Sequence, residues 1–325
     1  MSYYVGIDGG GSKTELIIGE TGGRIIKHVV GDSSNSSSIG IIKARESITG
    51  ILAYALGSIG AEEIGFISVC IPGIKDYWKD IELFGELANK GRALITGDED
   101  NSFYGALVKD QGIVILSGTG SFATGINSKG DKLTVGGWGP LLGDEGSGYY
   151  MGIKAIKAAI SRYEASGSDT VLFGEVMECF GINDIDLLKS VVYKNGLQTR
   201  KIASLGKAVL KGARAGDKVC LDIISESAEQ LYKMAETIIR RLKMTDIGYE
   251  LCLTGGISCF GDYMLAPLTN MVNAKYKNIK VVKPQFNPGV GSLILSYIKS
   301  GIELTDILKE NLRTSYEGVE MYVMQ

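Results

Sequence analysis

The stretch IVILSGTGSFATGINSKGDKLTVGGWGPLLGDEGSGYY, from Ile113 to Tyr150, contains three glycine-rich turns. It begins with an apolar run typical of a buried strand and then passes SGTGS (Ser117–Ser121), GGWG (Gly136–Gly139) and GDEGS (Gly143–Ser147). Because glycine has no Cβ, the backbone N–H groups of such turns can approach an anion closely. The stretch therefore predicts an enzyme that handles phosphate.

An earlier segment, DGGGSKT (Asp8–Thr14), has the same organisation. A shift of 109 residues places Asp8 on Ser117, Gly9 on Gly118, Gly11 on Gly120 and Ser12 on Ser121, and an apolar strand precedes both turns. Chance similarity between glycine turns is the alternative explanation. Repeats report architecture, so we expect two related domains, each of which offers a hairpin to a shared cleft.

Hydrophobic patterns extend this prediction to the other elements. In the first half they predict strands at Tyr3–Ile7, Glu15–Gly19, Arg24–Val30, Ile64–Ile71 and Ala93–Thr96, and helices at Ile41–Leu56 and Phe103–Val108. In the second half they predict strands at Ile113–Leu116, Tyr249–Leu253 and Ile279–Val282 among amphipathic helices. We assign residues 1–112 to an N-terminal domain and 113–325 to a C-terminal domain with helical insertions. The helix expected over 290–300 could pack back on the N-terminal domain.

Composition and charge exclude several classes of function. The chain has 325 residues, of which 45% are hydrophobic and 22% charged, and its net charge is −3. This net charge gives no indication of the basic surface that binding to nucleic acid or to an anionic membrane requires. The N-terminus has no basic segment followed by an apolar run, so we expect a cytoplasmic protein.

Cysteine and histidine usage also limits the chemistry. The five cysteines are an odd number without a CxxC pair, which favours free thiols over disulfides or a structural zinc site. The single histidine, His28, lies in an alternating segment, and we expect a structural role for it.

The DGGGSKT turn suggests a metal. Asp8 ends an apolar strand and faces a turn suited to phosphate oxygens, which a carboxylate would repel unless a cation lay between them. Asp8 therefore implies Mg²⁺, held through water molecules. The turn is not a Walker loop, because the GxxxxGK[ST] spacing does not occur. Lys13 is either a phosphate contact or a solvated lysine of the turn.

Two further turns complete a nucleotide site. Thr119 and the amides of Gly118 and Gly120 are candidates to hold the same triphosphate from the second domain. TGGIS (Thr254–Ser258) follows another strand and offers a side-chain-free surface to adenosine, with a helix-capping turn as the alternative.

The GGWGPLLGDEGS segment suggests a sugar. Asp144, Glu145 and Ser147 precede a predicted helix, where they could simply cap its N-terminus. Capping does not require the adjoining GGWG, however. A tryptophan flanked by glycines is suited to form a wall for a sugar ring, with Asp144 accepting hydrogen bonds from hydroxyls.

Together, DGGGSKT, SGTGS and GGWGPLLGDEGS resemble the N-acetylglucosamine kinase group of the BadF/BadG ATPase family, within the superfamily of actin, heat-shock chaperones and hexokinases. The resemblance covers nearly the whole chain. It implies an α/β fold with two ribonuclease-H-like, actin-like ATPase domains. Each would be a mixed five-stranded sheet with helices around an ATP and sugar cleft.

The resemblance also implies roles for individual residues. Asp98, in ITGDED, resembles the catalytic aspartate, and Asp100 is the second choice because the spacing to SGTGS differs by one residue. Asn35, in the serine-rich segment Gly31–Ser38, resembles a residue that reaches a sugar hydroxyl, although a flexible linker is the alternative for that segment. The predicted substrate-binding residues are Asn35, Asp98, Gly137, Trp138, Gly139 and Asp144. The predicted ATP-binding residues are Gly10, Gly11, Ser12, Lys13, Thr14, Gly118, Thr119, Gly120, Gly255 and Gly256.

The implied activity is an ATP- and Mg²⁺-dependent transfer of phosphate to the 6-hydroxyl of an amino sugar, by a homodimer. N-acetylglucosamine is the first candidate, followed by glucosamine and N-acetylmuramic acid. Val135 stands where animal enzymes of the group carry a cysteine, which leaves the sugar open. The alternatives are an iron–sulfur activator ATPase of a dehydratase, which needs bridging cysteines, and a non-catalytic sugar sensor.

Overall fold

The computed structural model describes residues 2–11, 13–194 and 198–324, and within them the backbone forms eleven strands and twelve α-helices. The strands are β1 Tyr3–Gly9, β2 Lys13–Glu20, β3 Ile25–Asp32, β4 Ile64–Cys70, β5 Ala93–Thr96, β6 Gly112–Ser117, β7 Ser121–Ile126, β8 Lys132–Gly136, β9 Tyr249–Thr254, β10 Ile279–Val282 and β11 Met321–Val323. The helices are α1 Ser36–Ile39, α2 Ile41–Leu56, α3 Glu82–Asn89, α4 Glu99–Leu107, α5 Gly148–Tyr163, α6 Leu172–Phe180, α7 Leu188–Lys194, α8 Thr199–Arg214, α9 Lys218–Arg241, α10 Asp262–Lys275, α11 Pro288–Lys299 and α12 Asp306–Gly318.

The chain divides into two compact units. The first unit comprises Met1–Lys109 together with Pro284–Gln325, and the second comprises Asp110–Lys283. The prediction that all of 113–325 belongs to the second domain was therefore wrong for the last 42 residues. This division places α11, the helix expected over 290–300, in the first unit.

The sheet of the first unit has the order β11-β3-β2-β1-β4-β5. Strands β1, β2 and β3 form an antiparallel meander, whereas β4 and β5 continue the sheet parallel to β1. The prediction of five strands was wrong for this unit, because β11 adds a sixth beside β3. With only three residues and no alternation, β11 is too short to be recognised from its sequence.

The sheet of the second unit repeats this plan with five strands, in the order β10-β9-β6-β7-β8. The hairpin β6–β7 and the strand β8 are antiparallel, and β9 and β10 are parallel to β6. The mixed five-stranded arrangement with helices is thus confirmed here. Because strand order and direction recur, the repeat read from the two glycine turns is also present in the architecture.

Helix α11 is held unusually close to the sheet of the first unit. A Cβ on Gly6 of β1 would lie 2.2 Å from the backbone nitrogen of Leu293, and one on Gly291 would lie 1.9 Å from the carbonyl oxygen of Asn101 in α4. Only glycine permits such approaches. Side chains of α11, including Val290 and Ile294, are fully buried in this contact. Fully burying one such side chain contributes about 1.5–3 kcal/mol.

Long amphipathic helices fill the core of the second unit. Leu205 and Val209 of α8, and Ala228, Leu231 and Ile238 of α9, are buried there with Ile113 and Ile115 of β6. The buried residues of α9 recur at helical spacing and form one apolar face. Among the described residues, none of the helices combines the length and the hydrophobicity that a membrane span requires.

A buried carboxylate, Glu15, joins several elements of the first unit. It accepts hydrogen bonds from His28 Nε2 at 2.7 Å, Lys13 Nζ at 2.9 Å and Asn287 Nδ2 at 3.0 Å. Burial alone would raise the pKa of Glu15, but the hydrogen bonds from His28 and Lys13 outweigh it and lower that pKa to about 2. His28 is thus placed in a buried hydrogen-bond network, as its alternating segment suggested.

The low pKa of Glu15 predicts an acid-dependent contribution to stability. Its folded pKa of about 2 lies below its ordinary value of 4.5, so the stabilisation is complete above pH 4.5 and is lost as pH falls toward 2. Glu15→Gln should reduce the free energy of unfolding by about 3 kcal/mol near pH 6, and this difference should shrink toward pH 2. Urea titrations across this pH range would measure it, with the exposed Glu317→Gln as control. A pH-independent difference would contradict the prediction.

Candidate active site

Acidic side chains of the first unit collect where the parallel strands end. Asp8 is the second-last residue of β1, and Asp98 follows β5, two residues beyond Thr96. The buried Cys70 ends the intervening strand β4. Burial raises the pKa of Cys70 well above its ordinary value, and the charges of Asp8, Asp98 and Asp100 add to that effect. The three aspartates therefore surround an uncharged thiol.

Asp98 occupies the N-cap position of α4, but its side chain makes no capping hydrogen bond. Burial, with the charge of Glu99, raises the pKa of Asp98 to about 6. The second candidate, Asp100, lies in the first turn of the same helix. Helix α4 begins at Glu99 rather than at Phe103 as predicted, because acidic residues in a first turn interact favourably with the helix dipole.

Asp8 is oriented by one direct hydrogen bond. The amide Nδ2 of Asn101 donates to its Oδ1 at 2.7 Å. Burial, the charge of Glu15 and that of Asp98 raise the pKa of Asp8 to about 7, although the bond from Asn101 acts in the opposite direction. A bound cation would reduce the repulsion of Asp8 by Glu15 and Asp98.

The donor set also limits how a metal could be held. Within 2–11, 13–194 and 198–324, no group of three or more His, Cys, Asp or Glu side chains could hold an ion by itself. Mg²⁺ commonly uses one or two carboxylates and completes its shell with water and substrate phosphates. Asp8 could supply the single carboxylate of such a site.

Some polar groups of the DGGGSKT turn form hydrogen bonds with other residues of the first unit. The Gly10 N–H donates to the Lys13 carbonyl at 2.9 Å, and the Lys13 ammonium is paired with Glu15 although its side chain is 55% exposed. The hydroxyl of the fully buried Thr14 donates to the Asp32 carbonyl at 2.6 Å and lies 2.7 Å from the Ser34 hydroxyl, which can donate to it. The assignment of Thr14 to ATP binding stays a prediction. Ser12, also predicted to bind ATP, lies outside the described residues.

The serine-rich segment is an ordered loop joined to this turn. Ser33 Oγ donates to the Gly10 carbonyl, and the buried Tyr77 hydroxyl donates to the Ser34 carbonyl at 2.6 Å. Asn35 caps the short helix α1 by accepting from the Ser37 N–H at 2.9 Å. The flexible-linker alternative was wrong, because these bonds fix Asn35 beside the glycine turn.

In the second unit, hydrogen bonds connect the SGTGS and GDEGS turns. Ser117 Oγ donates to the Gly146 carbonyl at 3.0 Å, and Ser121 Oγ donates to the Glu145 carbonyl at 2.7 Å. In return, the Gly148 N–H donates to the Gly118 carbonyl. The predicted phosphate turn and the predicted sugar segment thus form one structural block.

Asp144 lies at the centre of this block. It is only 6% exposed and adopts a left-handed backbone with φ of 63°. Its Oδ1 accepts from the Ser121 N–H at 3.2 Å, and a Cβ on Gly120 would lie 2.7 Å from its Oδ2. Burial raises the pKa of Asp144, while the amides of Ser121 and Gly139 oppose that rise. The helix α5 is capped by Ser147 and not by Asp144, so Asp144 is available for another role.

The GGWGPLL loop presents large apolar side chains to solvent. Trp138 is 74% exposed, and Leu141 and Leu142 are similarly exposed. Gly136, Gly137 and Gly139 all have positive φ, which lets the loop turn back on itself. An exposed tryptophan held by such a loop is free to contact a ligand.

The TGGIS turn packs against the SGTGS turn. Gly255 has a φ of 92°, and a Cβ there would lie 2.5 Å from the Ser117 carbonyl oxygen. Gly256 begins a short 3₁₀ helix that ends at Phe260. In the SGTGS turn the Gly118 N–H donates to the Gly120 carbonyl at 2.9 Å, and the role of Gly118 in binding phosphate stays a prediction. Thr119, at the tip, is exposed.

Sequence reasoning missed two residues of these sites. Asn101 directly follows the ITGDED segment and received no role, and Ser121 was recognised only as part of the repeat. Both act through contacts with residues that lie far away in the sequence, Asp8 and Asp144. The burial of Asn101 and its place in the first turn of α4 are visible only in the structure.

Similarity to known proteins extends along most of the chain. It is 29% identical to N-acetylmuramic acid/N-acetylglucosamine kinase of Clostridium acetobutylicum over 302 residues, covering 91% of this chain and 98% of the relative. It is 27% identical to N-acetyl-D-glucosamine kinase of Dictyostelium discoideum, covering 90% and 97%.

A solved structure from Chromobacterium violaceum, provisionally described as an N-acetylglucosamine kinase, shares the fold. Its TM-score is 0.73 at 22% sequence identity, covering 91% of this chain and 99% of that one. The sequence pattern of the BadF/BadG/BcrA/BcrD ATPase family matches residues 5–296. The glycine turns described above lie within that range, and this protein belongs to the BadF/BadG/BcrA/BcrD ATPase family.

Proposed function

We propose that this protein is an ATP-dependent amino-sugar kinase that phosphorylates the 6-hydroxyl of N-acetylglucosamine, with N-acetylmuramic acid and glucosamine as further candidates. The observation that carries the proposal is the similarity, over about nine-tenths of the chain, to relatives named as kinases of such sugars. The same resemblance is our basis for proposing a cytoplasmic homodimer.

Asp98 is our candidate for the general base. In the proposed reaction its carboxylate accepts the proton of the sugar 6-hydroxyl while that oxygen attacks the γ-phosphorus. The bond between the γ-phosphorus and the β–γ bridging oxygen breaks, and ADP leaves. A base is most effective when its pKa lies near the working pH, and the raised pKa of Asp98, about 6, suits that requirement.

Phosphate binding is assigned to the glycine turns. In the first unit we assign Gly10, Gly11, Ser12, Lys13 and Thr14, and in the second unit Gly118, Thr119, Gly120, Gly255 and Gly256. Lys13 is already held next to Glu15, so its ammonium remains at the turn. Asp8 would hold Mg²⁺ through water, and the ion would neutralise phosphate charge when bound. Most of the catalysis would then come from positioning and electrostatics.

Sugar binding is assigned to polar groups that the fold holds in place. Asn35 is fixed by its capping bond, and its amide nitrogen is our candidate to donate to a sugar oxygen. In the second unit, Asp144 would accept hydrogen bonds from sugar hydroxyls, while Gly137, Trp138 and Gly139 form the wall beside it. Carboxylates bind hydroxyls through charge-assisted hydrogen bonds, which are stronger than neutral ones.

The activity is tested by measuring ADP release with Mg-ATP and glucose, glucosamine, N-acetylglucosamine or N-acetylmuramic acid. We expect one amino sugar to be turned over well. Asp98→Asn should lower kcat roughly 10²- to 10⁴-fold, because the side chain keeps its shape but cannot take the proton. Asp100→Asn should retain most of the activity.

Other outcomes of this assay discriminate among the alternatives. Loss of activity in Asp100→Asn alone would move the base to that residue. No sugar-dependent ADP release from wild-type protein would remove the kinase proposal and favour an ATP-driven activator of a partner protein.

The raised pKa of Asp98 predicts a pH dependence. Its reactive form is the carboxylate, so kcat/KM should fall tenfold per pH unit below about pH 6 and level off above it. A pH profile at saturating Mg-ATP, with thermal unfolding followed across the same range, would measure this. A flat profile down to pH 5 in a folded protein would contradict the assignment of Asp98.

Asp144→Asn should act on sugar affinity. The amide oxygen can still accept from the Ser121 N–H, but the charge that strengthens bonds to hydroxyls is lost. A hydrogen bond to a charged group contributes about 1.5–3 kcal/mol, so KM for the sugar should rise roughly 10- to 100-fold while KM for ATP changes little. Asp222→Asn, an exposed aspartate of α9, is the matched control. Equal effects on both KM values would argue for a structural role of Asp144.

A further inference from the structure

The most informative unassigned side chain is Asn101 of α4. It is fully buried, although it is an amide in the first turn of a helix. Its Nδ2 lies 2.7 Å from Asp8 Oδ1, 3.1 Å from Ser292 Oγ and 3.3 Å from the Pro288 carbonyl oxygen. A buried amide needs hydrogen-bond partners, and the shortest of these contacts is to the carboxylate.

The surroundings of Asn101 leave it little freedom. Its Oδ1 accepts from the Ser102 N–H at 2.9 Å, which fixes the side-chain amide from the other end. Helix α11 approaches so closely that only glycine fits at position 291, against the Asn101 carbonyl. Ser292 in turn donates to the Pro288 carbonyl at 3.2 Å. The amide of Asn101 is therefore held in one orientation before any ligand arrives.

This geometry has a consequence for Asp8. With Oδ1 engaged by Asn101, the rotation of the carboxylate about its terminal bond is fixed, and the second oxygen has a defined position. Groups that orient a metal-holding side chain typically affect metal affinity by 10- to 100-fold when they are removed. A purely structural amide would need only its contacts with Ser292 and Pro288, which already connect α4 to α11.

We propose that Asn101 is a positioning residue that orients the Asp8 carboxylate toward the divalent cation of a metal–nucleotide complex. The inference rests on the proposed function, since it assumes that Asp8 acts on a metal-bound nucleotide. Asn101 contacts neither phosphate nor sugar in this account; it acts only through Asp8.

Calorimetric binding of ADP, with Mg²⁺ and with EDTA, tests this without turnover. In Asn101→Ala the Kd for Mg-ADP should rise roughly 10-fold, whereas the Kd for metal-free ADP should change less than twofold. The matched control is Ser296→Ala, which removes a fully buried hydroxyl of α11 that donates to the Leu293 carbonyl. It should leave both values unchanged. Asn101→Ser, which retains a polar group, is the second variant if Asn101→Ala does not fold.

The outcomes separate this inference from the kinase proposal. An unchanged Kd for Mg-ADP in a folded Asn101 variant, or an equal change in both Kd values, would overturn the positioning role. Wild-type protein that phosphorylates a sugar but binds ADP equally with and without Mg²⁺ would overturn it too, while the kinase proposal stands. Mg²⁺-selective weakening in a protein without sugar-dependent ADP release would support the role of Asn101 and remove the kinase proposal.

Discussion

The close contact of α11 with β1 and α4 is the constraint on which the first unit depends. Gly6 and Gly291 allow the helix backbone to touch the strand and the neighbouring helix, where any side chain would collide. This contact buries the apolar face of α11 and places Ser292 and Pro288 against Asn101. Asn101 in turn contacts Asp8. A packing requirement near the end of the chain thus determines the orientation of an acid near its beginning.

In the second unit, hydrogen bonds hold the candidate site residues in place. Two serine hydroxyls and several backbone groups join the SGTGS turn to the GDEGS turn, and Asp144 is enclosed between them. Its left-handed backbone is a strain that Asp tolerates better than most residues. These bonds join residues that lie 23 to 29 positions apart in the chain.

The acids of the first unit differ in protonation because their partners differ. Burial would raise the pKa of both Glu15 and Asp8, yet hydrogen bonds from His28 and Lys13 keep Glu15 ionised. For Asp8, burial and the charges of Glu15 and Asp98 outweigh the hydrogen bond from Asn101 and the charge of Lys13, and the pKa rises to about 7. Burial alone therefore does not predict the charge of these side chains. A divalent cation beside Asp8 would offset the repulsion from Glu15 and Asp98 and would favour the ionised form of Asp8.

The sequence by itself determined the glycine turns, the strands beside them and their repeat, because these follow from local hydrophobic alternation and turn chemistry, while the plan of two mixed sheets was implied by the family resemblance. It also indicated Asp8, Asp98 and Asp144 as chemically important. Only the tertiary structure decided that residues 284–325 belong with the first unit, that β11 extends its sheet, and that Asn101 touches Asp8. These features depend on contacts between residues far apart in the chain, and no local pattern records which distant backbone a helix or a three-residue strand will meet.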